Sequence, residues 1–268
     1  ASNSGLAHIL GEDRDVSMRL LVINPNTMPE MTALVLRAIR PHLPAATLLP
    51  VTGRFGAHYI ASRSAGVVAA HAALEAFAEH GAGCDGVYLA CFGDPGLLAL
   101  KELSHVPVVG MAEASSRLAA RQAQRFSIVT GGERWGPMLR EFLGSLGLGD
   151  RLAAVETVAP TGADIARDPD GAIALLAEAC NRTAARDGAG AVILGGAGLA
   201  GLAARVQPHV SVPVICSAEA GARMLIEALR LPSAKPASGD LALPAPVGSI
   251  GLSSRLSSLL AHPGELSP

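Results

Sequence analysis

The feature that most restricts how this chain can fold is an internal repeat. The stretch "GVYLACFGDPGLLALKELSHVPVVGMAEASSRLA", starting at Gly86, returns from Gly190 as "GAVILGGAGLAGLAARVQPHVSVPVICSAEAGARML". Leu89 aligns with Leu194 and Cys91 with Gly196, and "VPVVGMAEA" aligns with "VPVICSAEA" after a one-residue insertion. The segments opening each half also match, "RLLVINPNT" against "RFSIVTGGE". A repeat of this length predicts two similar structural units, spanning about 19–118 and 125–222.

Within each unit, short β-branched runs alternate with Ala/Leu-rich helical windows. Candidate strands are 19–24, 46–51, 86–91 and 106–111 in the first half, and 125–130, 152–158, 191–196 and 212–216 in the second. Helical windows fall near 29–40, 65–80, 95–104, 112–122, 134–146, 171–187, 198–208 and 217–230. This alternation predicts an α/β fold of two pseudo-symmetric parallel-sheet domains, 18–118 and 119–216. The helix at 217–230 is expected to return to the first domain. Half the residues are hydrophobic, which suffices for such cores. Residues 1–17 read as an extension or tag before Met18. Residues 231–268 are rich in Pro, Ser and Ala and read as an irregular tail, apart from a short helix in "GLSSRLSSLLA", contributing little apolar burial.

Ligands bind at the carboxyl ends of parallel strands. Two related halves place those ends around one cleft, with Cys91 and Gly196 on opposite walls. Other classes of function find no support. Net charge is −2 with no basic cluster, which argues against nucleic-acid or membrane-surface binding. No apolar run reaches membrane-spanning length and the start lacks a secretory pattern, so a cytoplasmic protein is expected. The four cysteines form no CxxC pair and have no metal-ligand spacing; no glycine-rich nucleotide fingerprint is present.

The candidate residues each have a bland alternative. In "CFGDPG", Asp94 is a plausible N-cap with Pro95 at the first helical position, placing Cys91 in a strand-to-helix turn. Backbone N–H groups there favour a thiolate and the Asp94 carboxylate opposes it. The alternative is a small buried hydrophobe. Cys84 and Cys180 read as structural. Cys216 ends the strand equivalent to the one ending at Gly110, and packs in the core or approaches the cleft. "NPNT" puts Asn24 and Thr27 at the end of the first strand, either as a polar rim for a ligand or as helix caps formed by Asn26 or Thr27. Thr130 is the equivalent polar group of the second half. The loop 53–64 holds Arg54, His58, Tyr59, Ser62 and Arg63, and is either solvated surface or a segment closing over a site.

"INPNT", "ACFGDPGL", "VPVVGMAEA" and "LGGAGLAGLA…VPVI" together resemble the hydantoin racemase group of the aspartate/glutamate racemase superfamily, over nearly all of 18–230. The resemblance implies two pseudo-symmetric α/β domains with the active site between them. It also implies no metal or organic cofactor, a small-molecule substrate (a hydantoin, ureide or related carboxylate) and a homo-oligomer. Family racemases use two cysteines, one removing the α-proton and the other delivering a proton to the opposite face. Cys91 matches the first. The second position is Gly196, a natural or engineered replacement. Asn24, Thr27, Phe92, Gly93, Thr130, Ala197 and Gly198 are implied as substrate-binding. A one-thiol decarboxylase of the arylmalonate type, or a binding protein that has lost its chemistry, are the alternatives.

Overall fold

The computed structural model describes residues 18–232 and 234–266; the expected extension at 1–17 lies outside them. The first half runs β1 (Met18–Asn24), α1 (Pro29–Ile39), β2 (Ala46–Thr52), α2 (Arg63–His80), β3 (Gly86–Leu89), α3 (Leu97–Leu103), β4 (Val108–Gly110) and α4 (Met111–Gln122). The second runs β5 (Phe126–Gly131), α5 (Trp135–Ser145), β6 (Leu152–Val158), α6 (Gly162–Arg167), α7 (Pro169–Asp187), β7 (Ala191–Gly195), α8 (Ala203–Val206), β8 (Val214–Cys216) and α9 (Ser217–Leu229). A last helix, α10 (Ser254–Ala261), lies in the tail. Each of the eight expected strands is present.

The strands form two parallel four-stranded sheets of the same order, β2-β1-β3-β4 and β6-β5-β7-β8. The central strands β3, β5 and β7 are buried from end to end, β3 and β7 without a polar side chain other than Tyr88, as sheets covered on both faces require. The register repeats with the sequence. Leu89 pairs with Ile23 and Gly110, and Leu194 pairs with Val129 and Cys216. Cys91 and Gly196 each follow two residues later, so the two are structural counterparts.

The halves exchange helices. α4, from the first half, packs on β7 and β8 as well as on β4, while α9, from the second, packs on β3 and β4. The two helices also pack on each other. The Tyr88 hydroxyl on β3 donates to the Ala218 carbonyl at the start of α9 (3.0 Å).

Three local expectations differ. The single helix expected at 198–208 is a short 3-10 turn at Ala197–Leu199 followed by α8, because the glycines of "GAGLAG" favour a turn over a helix. α6 was not expected; a capping box builds it, with the Thr161 hydroxyl accepting from the Asp164 N–H and Asp164 accepting from the Thr161 N–H. The tail is not idle. Leu256 and Leu259 of α10 are buried against the core formed by α2, β1 and β3, and the Ser253 hydroxyl donates to Glu75 on α2. The few apolar residues of the tail sit three apart on one helix face, which is enough to dock it.

Candidate functional site

Between the halves, at the carboxyl ends of the strands, lies a pocket. Cys91 and Phe92 enter it from the turn after β3. Thr130 and Gly131 enter from the end of β5, and Gly196, Ala197 and Gly198 from the turn after β7. Asn26, Met28 and Met31 close the β1–α1 side. The loop between β2 and α2 adds His58, Tyr59 and Ile60, and Trp135 stands at the start of α5.

Six of the expected residues, Cys91, Phe92, Thr130, Gly196, Ala197 and Gly198, therefore line one pocket; three do not. Asn24 is buried beneath the pocket. Its Nδ2 donates to Asn26 Oδ1 (2.8 Å), Thr32 Oγ1 (3.0 Å) and the Met28 carbonyl (3.2 Å), so its amide is spent on holding the turn. Asn26 takes the place at the wall, its Oδ1 also accepting from the Met28 N–H (2.9 Å). Thr27 faces the loop, with Oγ1 2.7 Å from His58 Nδ1. Neither Asn26 nor Thr27 is the N-cap of α1, which is Met28 with no side-chain cap. Gly93 backs Trp135, where a Cβ would fall 2.6 Å from the indole ring. His58, Tyr59 and Trp135 were not among the expected site residues. The polar loop "GRFGAHYIASRS" carried the signal for the first two, and Trp135 carried none.

Asp94 does not cap its own helix. Its φ is +48°, and α3 starts after Gly96. Its carboxylate accepts instead from the N–H groups of Ala112 (2.9 Å) and Glu113 (2.7 Å), capping α4. Gly110 makes room for this, since a Cβ there would lie 2.3 Å from Asp94 Oδ2. Burial raises Asp94 to about 7, against the lowering pull of those two amides. The counterparts in the second half are Leu199 and Cys216. Cys216 accepts from the Gly201 N–H (3.4 Å) and lines a separate cavity with Leu118, Gln122 and Arg223, so it does not join Cys91.

The Cys91 thiol is pushed far above its ordinary value, first by burial and then by the Asp94 carboxylate. Desolvation and Asp94 thus both oppose a thiolate at this turn. Cys91 Sγ lies 3.9 Å from the Phe92 carbonyl. Opposite, Gly196 has φ 136° and ψ 145°, a conformation that side-chain-bearing residues rarely adopt. Space itself is open there, because a Cβ would meet only Leu199 Cδ1 at 3.4 Å and Thr130 Oγ1 at 3.8 Å.

Tyr59 ties the first half's loop to the second half. Its hydroxyl donates to the Gly131 carbonyl (3.0 Å) and accepts from Trp135 Nε1 (3.2 Å). Burial raises the phenol, so it stays protonated in these bonds. Among the described residues no Asp, Glu, Lys or Arg lines the pocket. Among the described residues no group of three His, Cys, Asp or Glu could hold a metal ion, and no helix is long and apolar enough to cross a membrane.

Comparison with known proteins agrees with this architecture. The chain is 34% identical to the hydantoin racemase of Pseudomonas sp. (strain NS671) over 208 residues, covering 77% of this chain and 84% of that one. The allantoin racemase from Klebsiella pneumoniae superposes with a TM-score of 0.80 at 37% identity, covering 91% of this chain and 99% of that one. The allantoin racemase from Pseudomonas fluorescens superposes at 0.82 with 28% identity, covering 87% and 100%. The family described as Asp/Glu/Hydantoin racemase matches residues 20–225. With the duplicated α/β halves, this places the chain in the Asp/Glu/Hydantoin racemase family.

Proposed function

We propose that the protein is a racemase of the hydantoin and allantoin type, acting on the acidic C–H beside a carbonyl in a small, neutral cyclic ureide. The observation that carries this reading is the pocket itself: a buried thiol stands just after β3, and among the described residues no Asp, Glu, Lys or Arg lines the wall. A free amino acid would bring an ammonium and a carboxylate with no charged partner to meet them, which is costly in a shielded site. A hydantoin-like ring brings amide N–H and carbonyl groups, which Asn26, Thr130 and the backbone at 196–198 can pair.

In this reading Cys91 is an acid/base. Proton removal from the ring carbon generates an enolate-like anion, and hydrogen-bond donors at the pocket wall stabilise the developing charge. Cofactor independence belongs to the same proposal. A second reading follows from Gly196. With one thiol in the pocket, a decarboxylase needs only a proton donor, since loss of carbon dioxide itself makes the carbanion. The absence of Lys and Arg from the described lining counts against it, because a malonate enters as a dianion.

The test is stereochemical. Each enantiomer of 5-benzylhydantoin is incubated with the protein in heavy water, following deuterium at C5 by NMR and configuration by chiral chromatography. Inversion with exchange is expected, and Cys91→Ala should lower inversion by at least about a hundredfold. Neither exchange nor inversion, with carbon dioxide released from phenylmalonate, would replace the racemase reading with the decarboxylase one.

A further inference from the structure

Racemisation needs proton donors and acceptors on both faces of one carbon, and the pocket presents only one thiol. We propose that His58, held by Thr27, is the second acid/base group, serving the substrate face that Cys91 does not reach. This rests on the racemase reading above and assigns the role left open by Gly196.

The argument is an accounting of protic groups at the pocket wall. Gly196 has no side chain, and Cys216 opens into a different cavity. The Tyr59 hydroxyl already donates to the Gly131 carbonyl, and the Trp135 N–H to Tyr59. Asn26 Oδ1 accepts two hydrogen bonds, and amides do not exchange protons with carbon acids. The Thr130 hydroxyl is too weak an acid and base for the task. His58 remains. Its Nδ1 lies 2.7 Å from the Thr27 hydroxyl, and the Thr27 N–H donates to the Ala57 carbonyl (3.3 Å), so the turn after β1 holds both the ring and the backbone that carries it. Nε2 has no protein partner among the described residues. Imidazole both accepts and donates protons near neutral pH, and the exposed position of His58 lets it re-equilibrate with water.

The protons balance. In one direction the C5–H passes to neutral His58, giving imidazolium and an enolate, and the Cys91 thiol then protonates the other face, leaving a thiolate. In the other direction Cys91 thiolate takes the proton and imidazolium returns one. Thiol with imidazole and thiolate with imidazolium hold the same number of protons, so one proton moved through water resets the site. Thr27 is a positioning residue that aims the ring.

The experiment uses the 5-benzylhydantoin assay in heavy water on the full chain with His58→Gln, His58→Ala and Thr27→Val, each checked for an unchanged melting temperature. His58→Gln should lose inversion by about a hundredfold or more while Cys91 still exchanges the proton of one enantiomer. Added imidazole should restore inversion to His58→Ala, which a merely structural role would not allow. Thr27→Val should lower kcat with KM held. Wild-type inversion by His58→Gln would overturn this assignment and leave the racemase reading standing; so would one-enantiomer exchange without inversion by the unmodified protein. Absence of exchange and inversion in the unmodified protein would remove the racemase reading, and this assignment with it.

Discussion

Asp94 is a cap and a neighbour at once. Its carboxylate closes the start of α4, and its charge helps hold the Cys91 thiol in the protonated form. Asp94→Asn should separate these effects. The pH at which iodoacetamide alkylates Cys91 should move down, because a raising charge is gone. Stability should fall by about 1–3 kcal/mol, because the amide cannot accept from both the Ala112 and Glu113 N–H groups. The pH dependence has a definite sign. Asp94 holds its proton more tightly folded, at about 7, than unfolded, at about 3.9. Its stabilising contribution is full below the unfolded value and is lost as pH rises through the folded one. Thermal melts of wild type should therefore lose stability between those values relative to Asp94→Asn. Little of this was legible locally. "DPG" has the spacing of a helix start, and the helix that Asp94 caps begins with Met111, after the neighbouring strand β4. Cys91, Phe92, Thr130 and residues 196–198 were legible because strand ends fix their position. Asn24 and Thr27 were named on residue type, which does not tell which way a side chain turns out of a turn.

Strands read clearly from the sequence, since buried β-branched runs leave few alternatives. Elements stabilised by capping or by distant contacts read poorly. α6 depends on Thr161 and Asp164, and α10 on a surface supplied by α2. Composition made the tail seem idle, but its two leucines are positioned to dock. The double variant Leu256→Ala/Leu259→Ala should destabilise the protein by at least about 2 kcal/mol, read as a lower melting temperature, and should expose residues 234–250 to limited proteolysis. Turnover should change little, because α10 lines no part of the pocket. Acid should act on the same joint. Burial pushes Glu75 up, but the hydrogen bonds from Ser253 and His71 bring it net below its ordinary value. Its contribution is present above the unfolded value, about 4.3, and is lost as pH falls through the lowered folded one. Proteolysis of the tail should increase there.

At the scale of the molecule, the exchange of α4 and α9 makes each sheet depend on a helix encoded by the other half. Calorimetry should show one transition with matching calorimetric and van't Hoff enthalpies, despite the duplicated architecture. A fragment ending at Ala123 should give no cooperative melt, because it lacks α9 over β3 and β4 and leaves Tyr88 without its carbonyl partner. Two separable transitions would show that the exchange contributes little. The repeat foretold the two units but not the depth of their entanglement, since a returning helix looks the same in sequence wherever it packs. The exchange also governs traffic. Swinging the halves apart would drag α4 and α9 across each other and across both sheets, a motion that close packing resists. The β2–α2 loop has a smaller obstacle, the bonds of Tyr59 to Gly131 and Trp135. Substrate and product should therefore pass under that loop, with the latch setting their pace while the walls of the pocket stay fixed.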